Sequence, residues 1–262
     1  FIQVFTVNLV NIALLNQTTL PLNLSNYYTQ LVYQQDSNFN PIYLPLQYRC
    51  VAPGPAFTQL NPQQTVMVLD NLTTVCIDLD PQVSAALAGN LGQNINANAI
   101  VTLGNQSSSL STGQIKTMKP EDLVKALSTL GSVSTWNQGQ ANSIIQKLLS
   151  SGMMELNSSM SLVMLGSLVI GIPSTTFSSI SGMELLTASK NPSVVSHIVS
   201  APQIVQQTFV AQITAVNSNS DAIAENVPDE LASEISRVLL LDFSNNVNIF
   251  KKLNRKKWKR QQ

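Results

Sequence analysis

Residues 100–213 read as one unit written twice, and no other feature of the chain restricts its fold as much. Val101-Thr102-Leu103-Gly104 lies over Val163-Met164-Leu165-Gly166, 62 positions later. The match runs on without a gap: Leu110 falls on Ile172, Ile115 on Phe177, Met118 on Ile180, Asp122 on Glu184, Leu123 on Leu185 and Ala126 on Ala188. The matched positions are mostly apolar, plus one glycine and one acid. A partial third copy places Val227-Pro228 through Ile235-Ser236 on Ile172-Pro173 through Ile180-Ser181, and Leu240-Leu241 on Leu185-Leu186. Trp136-x-x-x-Gln140 returns as Trp258-x-x-x-Gln262. A fixed period marks units that cannot bury their apolar face alone and must stack on neighbours. The competing reading is chance similarity among Leu/Ser-rich helices.

The local signals between the repeats are helical. Pro62 through Leu72 puts apolar groups at helical spacing behind an N1 proline capped by Asn61. Pro120–Gly131 uses the same signals, with acids in the first turn and glycine at the stop. Further helices are expected at Asp80–Gly92, Asn137–Leu149, Asn157–Ile170, Ser174–Ile180, Gly182–Ala188, Pro192–Ser200, Pro202–Val216, Pro228–Leu241 and Val247–Gln262. A period of 62 residues then holds about four short helices, which is the arithmetic of an α-solenoid. Residues 1–60 are less regular. Short helices are expected at Phe1–Leu15 and Asn26–Gln35, with an ordered proline-rich loop over Pro41–Pro62. The domain reading is therefore a less regular segment over 1–60, then a helical-repeat region over 61–262 cut within a repeat.

Charged residues make up 11% of the chain, against about 25% in ordinary soluble domains. The polar surface must then be Asn, Gln, Ser and Thr, which suits a glycosylated extracellular protein better than a cytosolic one. Seven of the 14 basic residues lie in Lys251–Arg260, so residues 1–250 carry a net charge of −7 and the end is strongly basic. The chain starts at Phe1 and stops inside an apparent repeat, and it reads as a fragment of a longer protein. Phe1–Leu15 is a poor signal peptide and a poor membrane span. Met160–Ile172 is too short to cross a bilayer and reads as a buried core helix.

No pattern points to catalysis. The one histidine, His197, reads as a packed or surface residue. There is no Gly-x-Ser-x-Gly elbow, no zinc spacing, no phosphate loop and no dinucleotide fingerprint. Carboxylates pair at Asp78/Asp80, Glu121/Asp122 and Asp229/Glu230, and the last two pairs sit in helix first turns, where they complement the macrodipole. No metal, cofactor or catalytic residue is assigned.

The basic end admits three readings. It is a solvated helix face within a repeat, a surface for acidic lipid, glycosaminoglycan or nucleic acid, or a convertase cut site at Lys257-Trp-Lys-Arg260. The expectation is that its cations face solvent, with Lys256, Lys257, Lys259 and Arg260 the residues that would meet an acidic partner. Cys50 and Cys76 close a loop of about 25 residues; as a disulfide they stabilise by roughly 3 kcal/mol on the loop-entropy argument. Two buried thiols are the alternative, and the bond is expected if the chain is secreted. Five Asn-x-Ser/Thr sequons occur, at Asn16, Asn23, Asn71, Asn105 and Asn157. Chance alone gives about four to five in a chain so rich in Asn, Ser and Thr, so their number is no evidence of glycosylation.

Leu165-Gly166-Ser-Leu-Val-x-Gly171-Ile-Pro173, with Ile180 and Leu185-Leu186, resembles repeats of the mesothelin–stereocilin–otoancorin family. So do Val227-Pro228-x-x-Leu231-Ala, Ile235 and Asn254-x-x-x-Trp258-x-x-x-Gln262. The resemblance covers about residues 60–262 and rests on diffuse apolar motifs. It implies armadillo-like superhelical repeats in an extracellular, often lipid-anchored glycoprotein of cell–cell and cell–matrix attachment, with no catalytic residues to transfer. Here the basic run lies on the Trp-x-x-x-Gln motif, which departs from the family's pattern of release at a basic site.

The expectation is thus an all-α, right-handed solenoid: a non-catalytic secreted or surface-attached adhesion or matrix glycoprotein. Its partners would be proteins or glycoproteins such as mucins or sulfated glycans, with no nucleic acid and with any lipid anchor outside the fragment. The alternatives are an intracellular α-solenoid scaffold and a secreted hydrolase working through carboxylates.

Overall fold

A computed structural model describes residues 6–17, 20–76, 79–93, 95–241, 243 and 247–258. All regular structure among the described residues is helical, with no strand. The chain divides into two compact bodies, residues 1–122 and residues 123–262. The change of composition near residue 60 falls inside the first.

The first body opens with α1 (Leu9–Leu15) and α2 (Leu22–Gln35). The proline-rich stretch that follows is ordered, as a 3₁₀ turn at Pro41–Tyr43 and two single-turn helices, α3 (Leu46–Arg49) and α4 (Gly54–Phe57). α5 (Pro62–Val75) starts as its sequence predicts: Asn61 and Gln64 close a capping box around Pro62. α6 (Pro81–Asn90) is capped by Asp80, and α7 (Ala97–Leu103) leads into a 3₁₀ turn at Gly104–Ser109, then α8 (Thr112–Thr117). A disulfide joins Cys50, at the end of α3, to Cys76, just past α5. α5 packs on α3 and α7, and α6 packs on α4 and on the 3₁₀ turn.

α9 (Pro120–Lys125) carries the boundary. The second body continues with α10 (Leu127–Ser132), α11 (Gln138–Ser150), α12 (Ser159–Leu165), a 3₁₀ turn at Gly166–Gly171, α13 (Ser174–Ser178), α14 (Gly182–Ala188), α15 (Pro192–Val199) and α16 (Gln203–Val216). α17 (Ser220–Asn226), a 3₁₀ turn at Asp229–Glu234, α18 (Arg237–Leu241) and α19 (Val247–Leu253) follow.

The repeat is present in the backbone. α7 and its 3₁₀ turn, shifted by 62 residues, become α12 and its 3₁₀ turn with identical bounds. Gly104 and Gly166 end the two helices at φ 51, ψ −124 and φ 52, ψ −126. Only glycine adopts such a positive φ without strain, so the matched glycine is a matched turn. Leu103, Leu123, Leu165 and Leu185 are fully buried, and Ile180 and Ile235 nearly so, as the alignment requires of a core.

The third copy differs by a deletion. α17 begins 61 residues after α12, but the 3₁₀ turn at Asp229 begins only 55 after α13. The missing six residues equal the length of the turn Gly166–Gly171, which the third copy lacks.

Four expected helices are broken or cut short, and one of them, Val247–Gln262, ends at Leu253. Pro120–Gly131 bends at Ala126, which sits outside the helical region at φ −95, ψ 5, while Leu123, Leu127 and Leu130 are all buried. Asn157–Ile170 breaks at Gly166, leaving Met160 on the outside. Pro228–Leu241 is a 3₁₀ turn followed by α18.

Candidate functional site

The basic segment after α19 is the strongest chemical feature of the described surface, and it is folded inward. Lys256 sits against the third copy with its side chain 3% exposed. Its ammonium donates to the Val227 carbonyl at 2.6 Å and to Asp229 Oδ1 at 3.1 Å. Desolvating an ammonium costs several kcal/mol, and these two acceptors offset that cost. The Lys257 amide donates to the Asp229 carbonyl at 3.1 Å. Its exposed ammonium donates to Glu230 Oε1 at 2.8 Å, which holds Glu230 below the usual carboxylate range and raises Lys257. Lys252 reaches Asp221 at 3.4 Å and Glu225 at 3.7 Å on α17. Three of the seven cations therefore pair with the acidic stretch Asp221–Glu230, and one of them, Lys256, is buried instead of facing solvent as expected. The reason is local complementarity: the deletion in the third copy puts Asp229 and Glu230 directly after α17, beside α19. Lys251 and Arg255 are exposed, while Lys259 and Arg260 lie outside the described residues.

The two tryptophans of the recurring motif do the same work. Trp136 donates its indole N–H to the Leu130 carbonyl at the end of α10 (2.8 Å), and Trp258 donates to the Leu253 carbonyl at the end of α19 (2.9 Å). The glutamine has its own role in the first motif. Gln140 closes a capping box with Asn137 at the start of α11; its counterpart, Gln262, lies outside the described residues.

The acid matched in the repeat also has a physical role. Asp122 accepts the Ala97 amide at 3.2 Å, and Glu184 accepts the Ser159 amide at 2.7 Å, each across 25 residues. Ala97 and Ser159 are the first residues of α7 and α12, so the carboxylates satisfy orphan donors of an earlier helix. Asp122 therefore complements a different helix from the one it starts, which the sequence reading did not foresee. Asp80 caps α6 through the Gln82 amide at 2.7 Å, and Asp78 lies outside the described residues. Among the described residues no group of three His, Cys, Asp or Glu could hold a metal ion.

The sequons divide by their surroundings. Asn16, Asn23, Asn105 and Asn157 are exposed. Asn157 lies in the extended segment before α12, its amide donating to Glu155 at 2.9 Å. Asn71 is half-buried inside α5, with its amide donating to the Met67 carbonyl at 2.9 Å. In the Asn105 sequon the hydroxyl of Ser107 is buried and donates to the Ile100 carbonyl. No described helix is long and apolar enough to cross a membrane.

His197, on α15, is half-buried, and its Nδ1 is buried with no hydrogen-bond partner among the described residues. Burial lowers its pKa. No protein-family model, no curated protein and no solved structure matches the chain.

Proposed function

We propose that the chain is a stretch of an armadillo-like α-solenoid that acts by recognition rather than turnover. It would be a non-catalytic, mesothelin-like adhesion or matrix glycoprotein, secreted or held at the cell surface. The observation that carries this reading is the backbone identity of the units Ala97–Ser109 and Ser159–Gly171, down to the glycine turn. Repeated helical units serve as extended binding surfaces because each adds area without needing a new core. The Cys50–Cys76 bond and the uncharged polar surface support an oxidising compartment. The inward clasp removes Lys256 from any acidic-partner surface and moves recognition to the helical faces, with a protein or glycoprotein as the partner.

The test is secretion from mammalian cells behind a heterologous leader, followed by attachment of cells to surfaces coated with the product. The expected result is a disulfide-bonded chain whose mass falls on peptide N-glycosidase treatment, with Asn157 occupied, and cell attachment competed by the soluble chain. Retention inside the cell in reduced form, or attachment no better than to an inert coat, would contradict the proposal.

A further inference from the structure

In the third copy an ion pair bridges two helices, where the second copy has a groove with no such bridge. α15 and α19 are counterparts 55 residues apart, and α12 and α17 are counterparts 61 apart. On that register Lys252 replaces His197, while Asp221 and Glu225 replace Met160 and Met164. In the third copy Lys252 spans the groove to both acids. In the second copy the two positions hold Met160 and Met164, and a cavity of about 680 Å3, lined in part by Met164, remains.

Its walls include Val124, Leu127, Val163 and Met164, with Lys125 at the rim and His197 on the α15 side. Val163 and Met164 are 42% and 53% exposed, so apolar surface faces the opening. Lys125 is exposed and no ion pair involves it among the described residues. None of the described lining residues is an aspartate or glutamate. A cationic ligand would thus meet a lysine and no counter-charge, whereas an anionic head would meet Lys125 and the open edge of the His197 imidazole, whose Nδ1 is itself buried. Apolar walls with a few convergent polar groups are the usual make-up of a small-molecule site.

We propose that this groove binds an apolar carboxylate, an aliphatic or aromatic acid whose chain or ring lies on Val124, Val163 and Met164 and whose carboxylate is held by Lys125 and His197. The aliphatic part supplies the burial and the head group supplies the orientation. At the equivalent positions of the third copy Lys252 is already paired with Asp221 and Glu225, whose charges would repel a carboxylate.

The chain has a single histidine, so its imidazole signal in a nitrogen-correlated NMR spectrum needs no further assignment. Octanoate, kept below its micelle concentration, is titrated against the whole chain while that signal is followed. The expected result is a saturable shift of His197, absent with octylammonium and with acetate. Lys125→Glu should weaken octanoate binding about tenfold or more, since it turns attraction into repulsion at the rim. Met164→Glu should abolish the shift. Both side chains are exposed, and an unchanged helical dichroism spectrum would establish that the variants fold. No shift with octanoate, an equal shift with octylammonium or acetate, or unchanged binding by Lys125→Glu would each overturn the proposal.

Discussion

The turns at Gly104 and Gly166 share one backbone and differ in what surrounds it. A Cβ built on Gly104 would meet nothing within 4 Å, while one on Gly166 would fall on the carbonyl of Gly131. A Cβ built on Gly131 would in turn stand 3.0 Å from the Leu165 carbonyl oxygen and 3.1 Å from that of Met164. Positive φ is therefore a property of the repeat, and the close backbone approach belongs to the second copy alone. Two copies of one motif can thus keep a conformation while placing different packing demands on the same residue.

Substitutions in the core give the largest expected effects. Leu103→Ala and Leu165→Ala should each destabilise by about 2–5 kcal/mol, because both side chains are fully buried. Leu185→Ala should behave alike. Urea titrations in which Leu103→Ala and Leu165→Ala differ grossly would break the equivalence of the copies.

The glycine pair sharpens the comparison. Gly104→Ala should cost only the left-handed strain, about 1–2 kcal/mol. Gly166→Ala adds overpacking against Gly131, about 1–3 kcal/mol more. Equal costs in the same titrations would mean that α10 and α12 do not approach as described.

Much of this was legible beforehand. Leu103, Leu123, Leu165, Leu185, Ile180 and Ile235 could be placed in the core from the sequence, whereas Val101 and Val163, matched in the same way, are exposed. The cap at Asn61 was legible too, because capping acts over three residues. The inward turn of Lys256 was not: its partners Val227 and Asp229 lie 29 and 27 residues away, and no local pattern announces a contact at that range. The same holds for Asp122 and Glu184, whose acceptor roles reach back 25 residues to another helix. The groove at His197 was invisible, because only the structure brings His197 into one cavity with Met164 and Lys125.

Smaller effects test those long-range contacts. Asp122→Ala and Glu184→Ala should each cost about 0.5–2 kcal/mol, the range for losing a helix cap. Each should raise exchange at one amide, Ala97 or Ser159 respectively. A loss confined to one copy would show that the matched acid is coincidental. The smallest effect concerns pH. Burial holds the folded His197 below its unfolded pKa of about 6.5, so its contribution is present above that value. It is lost as pH falls through the folded pKa, because the unfolded chain binds the proton more readily. His197→Gln should remove that part of the decline in melting temperature between neutral and mildly acid pH; an unchanged slope would place the imidazole in water.

The repeat itself is tested most directly by native-state amide exchange across residues 97–126 and 159–188. The account predicts protection profiles that superimpose after a shift of 62 residues, with slow amides in α7 and α12 and matching interruptions at Gly104 and Gly166. Profiles that fail to superimpose, or protection running unbroken through either glycine, would contradict it.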